Sequence, residues 1–410
     1  NTGKKAVIAV IVIALIVVII ALAVVISGKS KKGGSKSATE AGSETMRSGQ
    51  FDIDYAKQVT KLADYSGIAI TVSNDYEIND TAKQKYLTNV LQSYGADAYK
   101  QVTDRDTVAD GDYVKVDYTG YKDGKAFDGG SATDVMLDVT NNSQVGGSSF
   151  IDGFTKPIIG AKVGDKVKGD VTFPEDYGND DLNGQTVTFE YTVKGIYSAD
   201  PVALADMTDE QVNTVFGKAG VTTNAQLTTQ IEKDLKQQLY SAEVDKIKSY
   251  MIEDSTVEIP DEYLQARLNE YIASFTKENV KDGQTLKKYL KSNYNMTVDQ
   301  ATEKWKENLT DQIKTEFIFG LIAEKENIKM DDDAFNSYVD YIVSASNGQF
   351  SKASEVYKYF GSGHKDEGKT YLKNQYLVNK AIDTVTEKAN VTFEDGSAAP
   401  DTSSGSADAE

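Results

Sequence analysis

The 410-residue chain carries 63 acidic against 44 basic side chains, a net charge of −19, no cysteine and one histidine, His364. Phosphate binding needs a concentrated basic face, so nucleic acid is excluded as a partner. Disulfides, thiol nucleophiles and Cys-ligated metal sites are excluded too, and a single histidine argues against a Ser-His-Asp triad or a His-rich metal site. The length accommodates two or three domains.

A short tail, 1–5, precedes the segment 6–27, AVIAVIVIALIVVIIALAVVIS, uninterruptedly apolar over 6–26. As a helix rising roughly 1.5 Å per residue, its apolar core spans about 31 Å, one hydrocarbon layer. It is too long for the core of a cleaved signal peptide, and its composition offers no polar face for a buried core helix. The expectation is a single-pass transmembrane helix. Lys29, Lys31, Lys32 and Lys36 follow it and only Lys4 and Lys5 precede it; by that count alone the positive-inside rule would leave the body in the cytoplasm. A large body behind one N-terminal span is nevertheless the usual build of exported anchored proteins. The reading therefore favours a cell-membrane protein with an extracytoplasmic body. Residues 28–50, rich in Gly, Ser and Lys, read as a flexible linker.

Residues 51–110 hold a strand candidate over 68–72 and a helix over 80–99, with Tyr86, Val90, Leu91 and Tyr94 on one face. In the next segment, 111–198, Val114, Val116 and Tyr118 alternate with Lys115, Asp117 and Thr119. A turn at Lys122, Asp123 and Gly124 reverses the chain into Ala126 and Phe127. The apolar run 151–159 predicts a short helix ended by Gly160, and 167–173 and 186–193 predict two more strands. One antiparallel sheet cradling a short helix fits this order.

From 199 to 393 the pattern is helical, opening at Asp200-Pro201. Stripes recur at Ile231, Leu235 and Leu239, continuing through Val244, Ile247 and Met251. Others run through Leu264, Leu268, Ile272 and Phe275, through Trp305, Leu309, Ile313, Phe317 and Leu321, and through Phe335, Val339 and Ile342. Residues 394–410 read as a disordered acidic tail.

Five motifs in order, VDYTG (116–120), DGKAFD (123–128), FIDGF (150–154), GAKVGDKV (160–167) and FPEDYG (173–178), resemble the FKBP-type peptidyl-prolyl cis/trans isomerase domain. The spellings DGKAFDGGSATDVML and PIIGAKVGD resemble its trigger factor branch. Residues 51–110 are similar to the trigger factor connecting segment, and 199–393 to its C-terminal chaperone domain through IPDEYL and IAEKENIKMDDDAF. The ribosome-binding domain finds no counterpart, and the apolar run and linker stand in its place. The resemblance implies an α+β fold: an FKBP-like antiparallel half-barrel sheet around a short helix, an all-α trigger factor C-terminal-like chaperone domain, and an N-terminal transmembrane helix.

It also implies an activity and a site. Turning an X-Pro amide needs no nucleophile, metal or cofactor, only an apolar pocket that favours the twisted amide over the planar one. Tyr118, Phe127, Asp128, Phe150, Ile151, Phe154, Tyr177 and Phe189 match the family's pocket residues. The resemblance puts Phe127, Phe154 and Phe189 on the walls and floor, Ile151 as a backbone N–H donor to a substrate carbonyl, Tyr118 and Asp128 on the polar edge, and Tyr177 on the flap. By residue type alone, the same aromatics would merely fill a half-barrel core. Many FKBP-type domains carry tryptophan where Phe154 stands, and the 138–149 loop is more polar and Gly-rich than usual.

The acidic runs 176–181 and 331–333 lack EF-hand spacing, and the second suits a helix N-terminus. His364, in a GSGHKDEG loop, reads as a solvated residue. The expected function is a membrane-anchored prolyl isomerase and folding chaperone for exported proteins, binding unfolded clients with X-Pro bonds and not docking on ribosomes. The alternative is a membrane-tethered holdase whose FKBP-like domain grips peptides without turnover.

Overall fold

A computed structural model describes residues 46–92, 99–200, 202–281 and 283–402. In chain order α1 (Tyr55–Gln58), β1 (Val59–Lys61), β2 (Ala69–Val72) and α2 (Asp80–Leu91) come first. The strands β3 (Asp112–Lys122), β4 (Lys125–Asp138), β5 (Ser143–Gln144), β6 (Lys166–Thr172) and β7 (Thr186–Ser198) follow. Then come α3 (Asp209–Phe216), α4 (Asn224–Asp254), β8 (Thr256–Val257), α5 (Asp261–Asn279), α6 (Leu286–Tyr294) and α7 (Val298–Lys325). α8 (Asp332–Ala345), α9 (Ala353–Phe360), α10 (Lys365–Glu387) and β9 (Asn390–Phe393) complete the chain. The described residues divide into two compact units, one of residues 78–235 and one of 46–77 with 236–402, the boundary falling within α4. Residues 51–110, expected as one connecting segment, are thus shared between the two.

The first unit is built on a five-stranded antiparallel sheet in the order β5-β4-β3-β7-β6. Period-two alternation puts Val114, Val116 and Gly120 of β3 on its inner face, opposite Val187, Phe189, Tyr191 and Val193 of β7. A register shift after Lys115 absorbs one extra residue of β7, so Ile196 still points inward opposite Val114. The hairpin expected at residues 122–124 forms. Both β4 and β7 run further than their local alternation suggested.

The helix expected over 151–159 does not form. That stretch is a chain of turns ending in a single 3₁₀ turn, Lys156–Ile158. Gly153 has φ +80°, outside the helical region, and Pro157 brings no N–H to a helical ladder. The 3₁₀ turn lies close on the sheet because β6 has glycine beneath it: a Cβ on Gly169 would come within 2.1 Å of the Pro157 ring. Elsewhere in the unit, α2 is capped by the Asn79 side chain, which accepts from the Ala82 N–H. α2 ends at Leu91, short of the 99 expected, and residues 93–98 lie outside those described. Its buried residues are Leu87 and Leu91, with Tyr86 and Val90 at the flank. They share a small core with Met136, Val212, Phe216 and Ile231.

The second unit is helical, as the stripes required. Leu309, Ile313, Phe317 and Leu321 of α7 are buried, and each fully buried side chain of this kind contributes roughly 1.5–3 kcal/mol. Local signals start the helices: Thr297 and Gln300 form a capping box on α7, and Asp331 caps α8. Inside the unit, the Arg267 guanidinium forms a two-pronged ion pair with Glu316 at 2.8 and 3.1 Å, and also donates to the Tyr263 hydroxyl. Two strand pairs tie distant segments together, β1 antiparallel to β8 and β2 parallel to β9. His364 stands exposed at the start of α10.

Two stretches expected to be unstructured are ordered in part. At the end of the linker, Arg47 forms an ion pair with Glu367, and Ser48 donates from its N–H and its hydroxyl to Glu270. At the start of the acidic tail, Ala399 donates to Val391, and the buried Thr402 hydroxyl donates to the buried Glu243 carboxylate at 2.6 Å. The run 6–27 lies outside the described residues. Among the described residues no helix is long and apolar enough to cross a membrane.

Candidate active site

The inner face of β3 and β7 supplies the base of an aromatic cluster. Tyr118 pairs with Tyr191, and Gly120 with Phe189. Phe154, delivered by the turns after Phe150, drops into the middle. Its ring stacks on Phe150 with centroids 4.2 Å apart, and meets Phe189 at 4.8 Å, Tyr118 at 5.1 Å and Tyr191 at 5.4 Å edge-on. From β4, Phe127 reaches Phe189 at 5.9 Å and Phe173 at 6.2 Å, and Tyr177 closes on Phe173 at 4.5 Å.

Depth orders these rings. Phe154 and Phe189 are only 2% and 4% exposed and form the floor. Tyr118, Phe127, Phe150 and Ile151 are half-buried above it, and Tyr177, 48% exposed, stands at the rim. Phe127 can lie so low because β3 carries glycine there: a Cβ on Gly120 would sit 2.6 Å from the Phe127 ring and 2.7 Å from Phe189. Burial, with a smaller push from the neighbouring Tyr177, raises the Tyr118 phenol above its ordinary value and keeps it a neutral donor. Among the described residues nothing accepts a hydrogen bond from the Ile151 N–H, at the edge of the cluster.

Seven of the eight residues singled out from the sequence are therefore brought together. Asp128 is the exception: it stands exposed on β4, and its side chain makes no hydrogen bond among the described residues. Three contributors were missed. Tyr191 is fully buried and donates its hydroxyl to the Phe154 carbonyl at 2.6 Å, which ties the floor to β7. Alternation in TFEYTV puts it on the same face as Phe189, so the signal was present. Phe173 bridges Phe127 and Tyr177, and Asn142 holds the turn that carries Phe150 and Ile151. No local pattern marks Asn142.

A five-stranded antiparallel sheet with an aromatic cup beside a 3₁₀ turn defines an FKBP-type domain, and comparison with known proteins agrees. Residues 105–194 match the family described as FKBP-type peptidyl-prolyl cis-trans isomerase, and residues 222–387 match the C-terminus of bacterial trigger factor protein. The trigger factor of Agathobacter rectalis is 28% identical over 330 residues, 80% of this chain and 69% of that protein. That of Clostridium botulinum strain Eklund 17B is 29% identical over 276 residues, 67% of this chain and 62% of that one. A solved structure from work on promiscuous substrate recognition by the trigger factor chaperone covers 80% of this chain and 72% of its own at 18% identity, with a TM-score of 0.41. The chain is trigger factor-like, one region being similar to the FKBP-type family and another to the trigger factor C-terminus.

One expectation is corrected by these findings. The single-pass cell-membrane location with an extracytoplasmic body does not stand beside the comparisons, in which the relatives matched over about four-fifths of the chain are trigger factors. That expectation rested on residues 6–27 and on the build of other anchored proteins.

Proposed function

We propose that this chain catalyses cis/trans isomerisation of X-Pro bonds in unfolded polypeptides and holds those polypeptides on its helical part. The observation that carries the reading is the cup itself: Phe154 and Phe189 as a dry floor, Tyr118, Phe127 and Phe150 as walls, and an unengaged Ile151 N–H at the edge. Resonance keeps the prolyl amide planar behind a barrier of about 18–20 kcal/mol. At the top of that barrier the C–N bond is twisted and the carbonyl less polar, so a water-poor aromatic cup favours it over the planar ground state. The Ile151 N–H would grip a substrate carbonyl and fix the chain while the prolyl ring turns. A gain of about 7 kcal/mol gives roughly 10⁵-fold acceleration. No proton transfer, metal or cofactor enters the scheme.

For the holding role, an aromatic group on the second unit, half-exposed around a buried Tyr289, is suited to apolar clients. Trp305 packs on Phe275 at 4.9 Å and Tyr271 at 5.5 Å, Phe275 meets Tyr289 at 6.0 Å, and Tyr294 is 39% exposed beside Tyr289. Rings of this kind bury an apolar face and tolerate water.

A second reading, a holdase without turnover, draws on the near-complete burial of Phe154 and Phe189. The test is a proline-limited refolding reaction with the full chain added in catalytic amounts. Acceleration by the wild type that Phe127→Ala abolishes supports the enzyme. A refolding rate equal to buffer, with client aggregation still suppressed, leaves the holdase.

A further inference from the structure

The segment 150–155 is neither helix nor strand, yet it carries Phe150, Ile151 and Phe154, three of the proposed site's groups. Irregular backbone at a half-buried position must find partners for its polar groups outside a ladder. Here one side chain supplies three of them. The Asn142 Nδ2 donates to the Phe150 carbonyl at 3.2 Å and to the Ile151 carbonyl at 2.9 Å. Its Oδ1 accepts from the Thr155 N–H at 2.9 Å and lies 3.2 Å from the buried Thr155 hydroxyl. Its own backbone carbonyl accepts from the Phe150 N–H at 2.9 Å.

Asn142 reaches that position through the 138–149 loop. The Asp138 carboxylate accepts from the Thr140 and Asn141 N–H groups and from the Asn141 side chain, folding the loop back at the end of β4. The chain then passes through φ +49° at Asn142, a left-handed conformation that asparagine adopts more readily than most residues.

We infer that Asn142 is the positioning residue of the isomerase site, aiming the Ile151 N–H into the aromatic cup. This rests on the isomerase reading above and deepens it. The Phe150 carbonyl and the Ile151 N–H belong to one planar trans peptide unit and point in opposite directions. Fixing the carbonyl on Asn142 therefore fixes where the N–H points, and a carbonyl already accepting a hydrogen bond leaves its N–H a better donor. The second bond, to the Ile151 carbonyl, stops the next peptide unit from rotating, and the Thr155 bonds anchor the far end beyond Phe154. Aspartate at this position would set a carboxylate against two carbonyl oxygens, while glycine would keep the backbone conformation and lose the whole side-chain clamp.

The test uses the ¹⁵N-labelled full chain and a Phe-Pro tetrapeptide, reading catalysed cis/trans exchange and the Ile151 amide resonance in the same samples. In the wild type the peptide shifts the Ile151 resonance. In Asn142→Gly that shift is lost and catalysed exchange falls by about tenfold or more, the scale of a misaimed contact group. Asn142→Asp, which keeps the acceptor for Thr155 and replaces the two donor bonds by carboxylate–carbonyl repulsion, gives the same loss and decides the matter if the glycine variant does not fold. Exchange within about twofold of wild type and an intact Ile151 shift in both variants overturn the assignment. Should the wild type show no catalysed exchange, the isomerase reading falls by itself. The Ile151 shift then decides: present in wild type and lost in the variants, it supports the positioning role; equal in all three chains, or missing from wild type, it overturns it.

Discussion

The Tyr191 hydroxyl donates to the Phe154 carbonyl at 2.6 Å beneath the aromatic cup, joining β7 to the turn that forms the floor. Burial, with a smaller push from Tyr118, raises the Tyr191 phenol above its ordinary value, which keeps it a protonated donor at neutral pH. Tyr191→Phe leaves the buried carbonyl without that donor. The expected cost is about 1–3 kcal/mol in urea denaturation, with a fall in catalysed exchange as Phe154 loses its anchor. An unchanged denaturation midpoint contradicts the coupling.

Gly120→Ala tests the close approach of Phe127 to β3. The new methyl meets two rings at under 3 Å, and one of them must move. Overpacking of this kind costs about 1–3 kcal/mol, and the variant is expected to lose isomerase activity while the helical unit keeps its melting behaviour. Full activity would show that the position of Phe127 is immaterial.

In the second unit, the Arg267 and Glu316 side chains are each only 9% exposed. Removing one partner strands the other's charge. Glu316→Ala should therefore cost about 3–5 kcal/mol. The pair replaced together, Arg267→Met with Glu316→Leu, should cost much less, because no buried charge is left alone. Chemical denaturation of the three chains separates these outcomes.

Glu243 gives the account a pH dependence. Burial pushes its carboxyl above the ordinary 4.5, and the Thr402 hydroxyl pulls it back only in part. The folded chain then binds this proton more tightly than the unfolded chain. The contribution to stability is full below 4.5 and is lost as pH rises through the folded value. Glu243→Gln keeps an acceptor for Thr402 without the charge. It should raise the melting temperature at about pH 8, with the gain vanishing as the pH falls towards the ordinary glutamate range. A gain that grows on acidification would reverse the sign and refute the burial argument.

What could be read from the sequence was local and periodic. Alternation at Val114, Val116 and Tyr118 located β3, and the every-fourth-residue stripe from Leu309 to Leu321 located the buried face of α7. What could not be read was settled by partners far along the chain. β2 pairs with β9 from Ala69↔Asn390 to Val72↔Phe393, and neither segment's pattern names the other. The apolar run at 151–159 looks helical until Asn142 takes up its carbonyls and Thr155. Composition marked the tail as disordered, yet a single threonine, Thr402, finds a buried carboxylate. At the site, the aromatic residues were legible because motif and alternation agreed, whereas Asn142 acts through geometry that only the folded loop creates.

The most direct test is magnetisation exchange between the cis and trans forms of an Xaa-Pro peptide in the presence of catalytic amounts of the full chain. The account predicts exchange far above the uncatalysed rate of tens to hundreds of seconds, abolished by Phe127→Ala in a chain that still folds. Exchange at the uncatalysed rate with the wild type, or undiminished in Phe127→Ala, would contradict it.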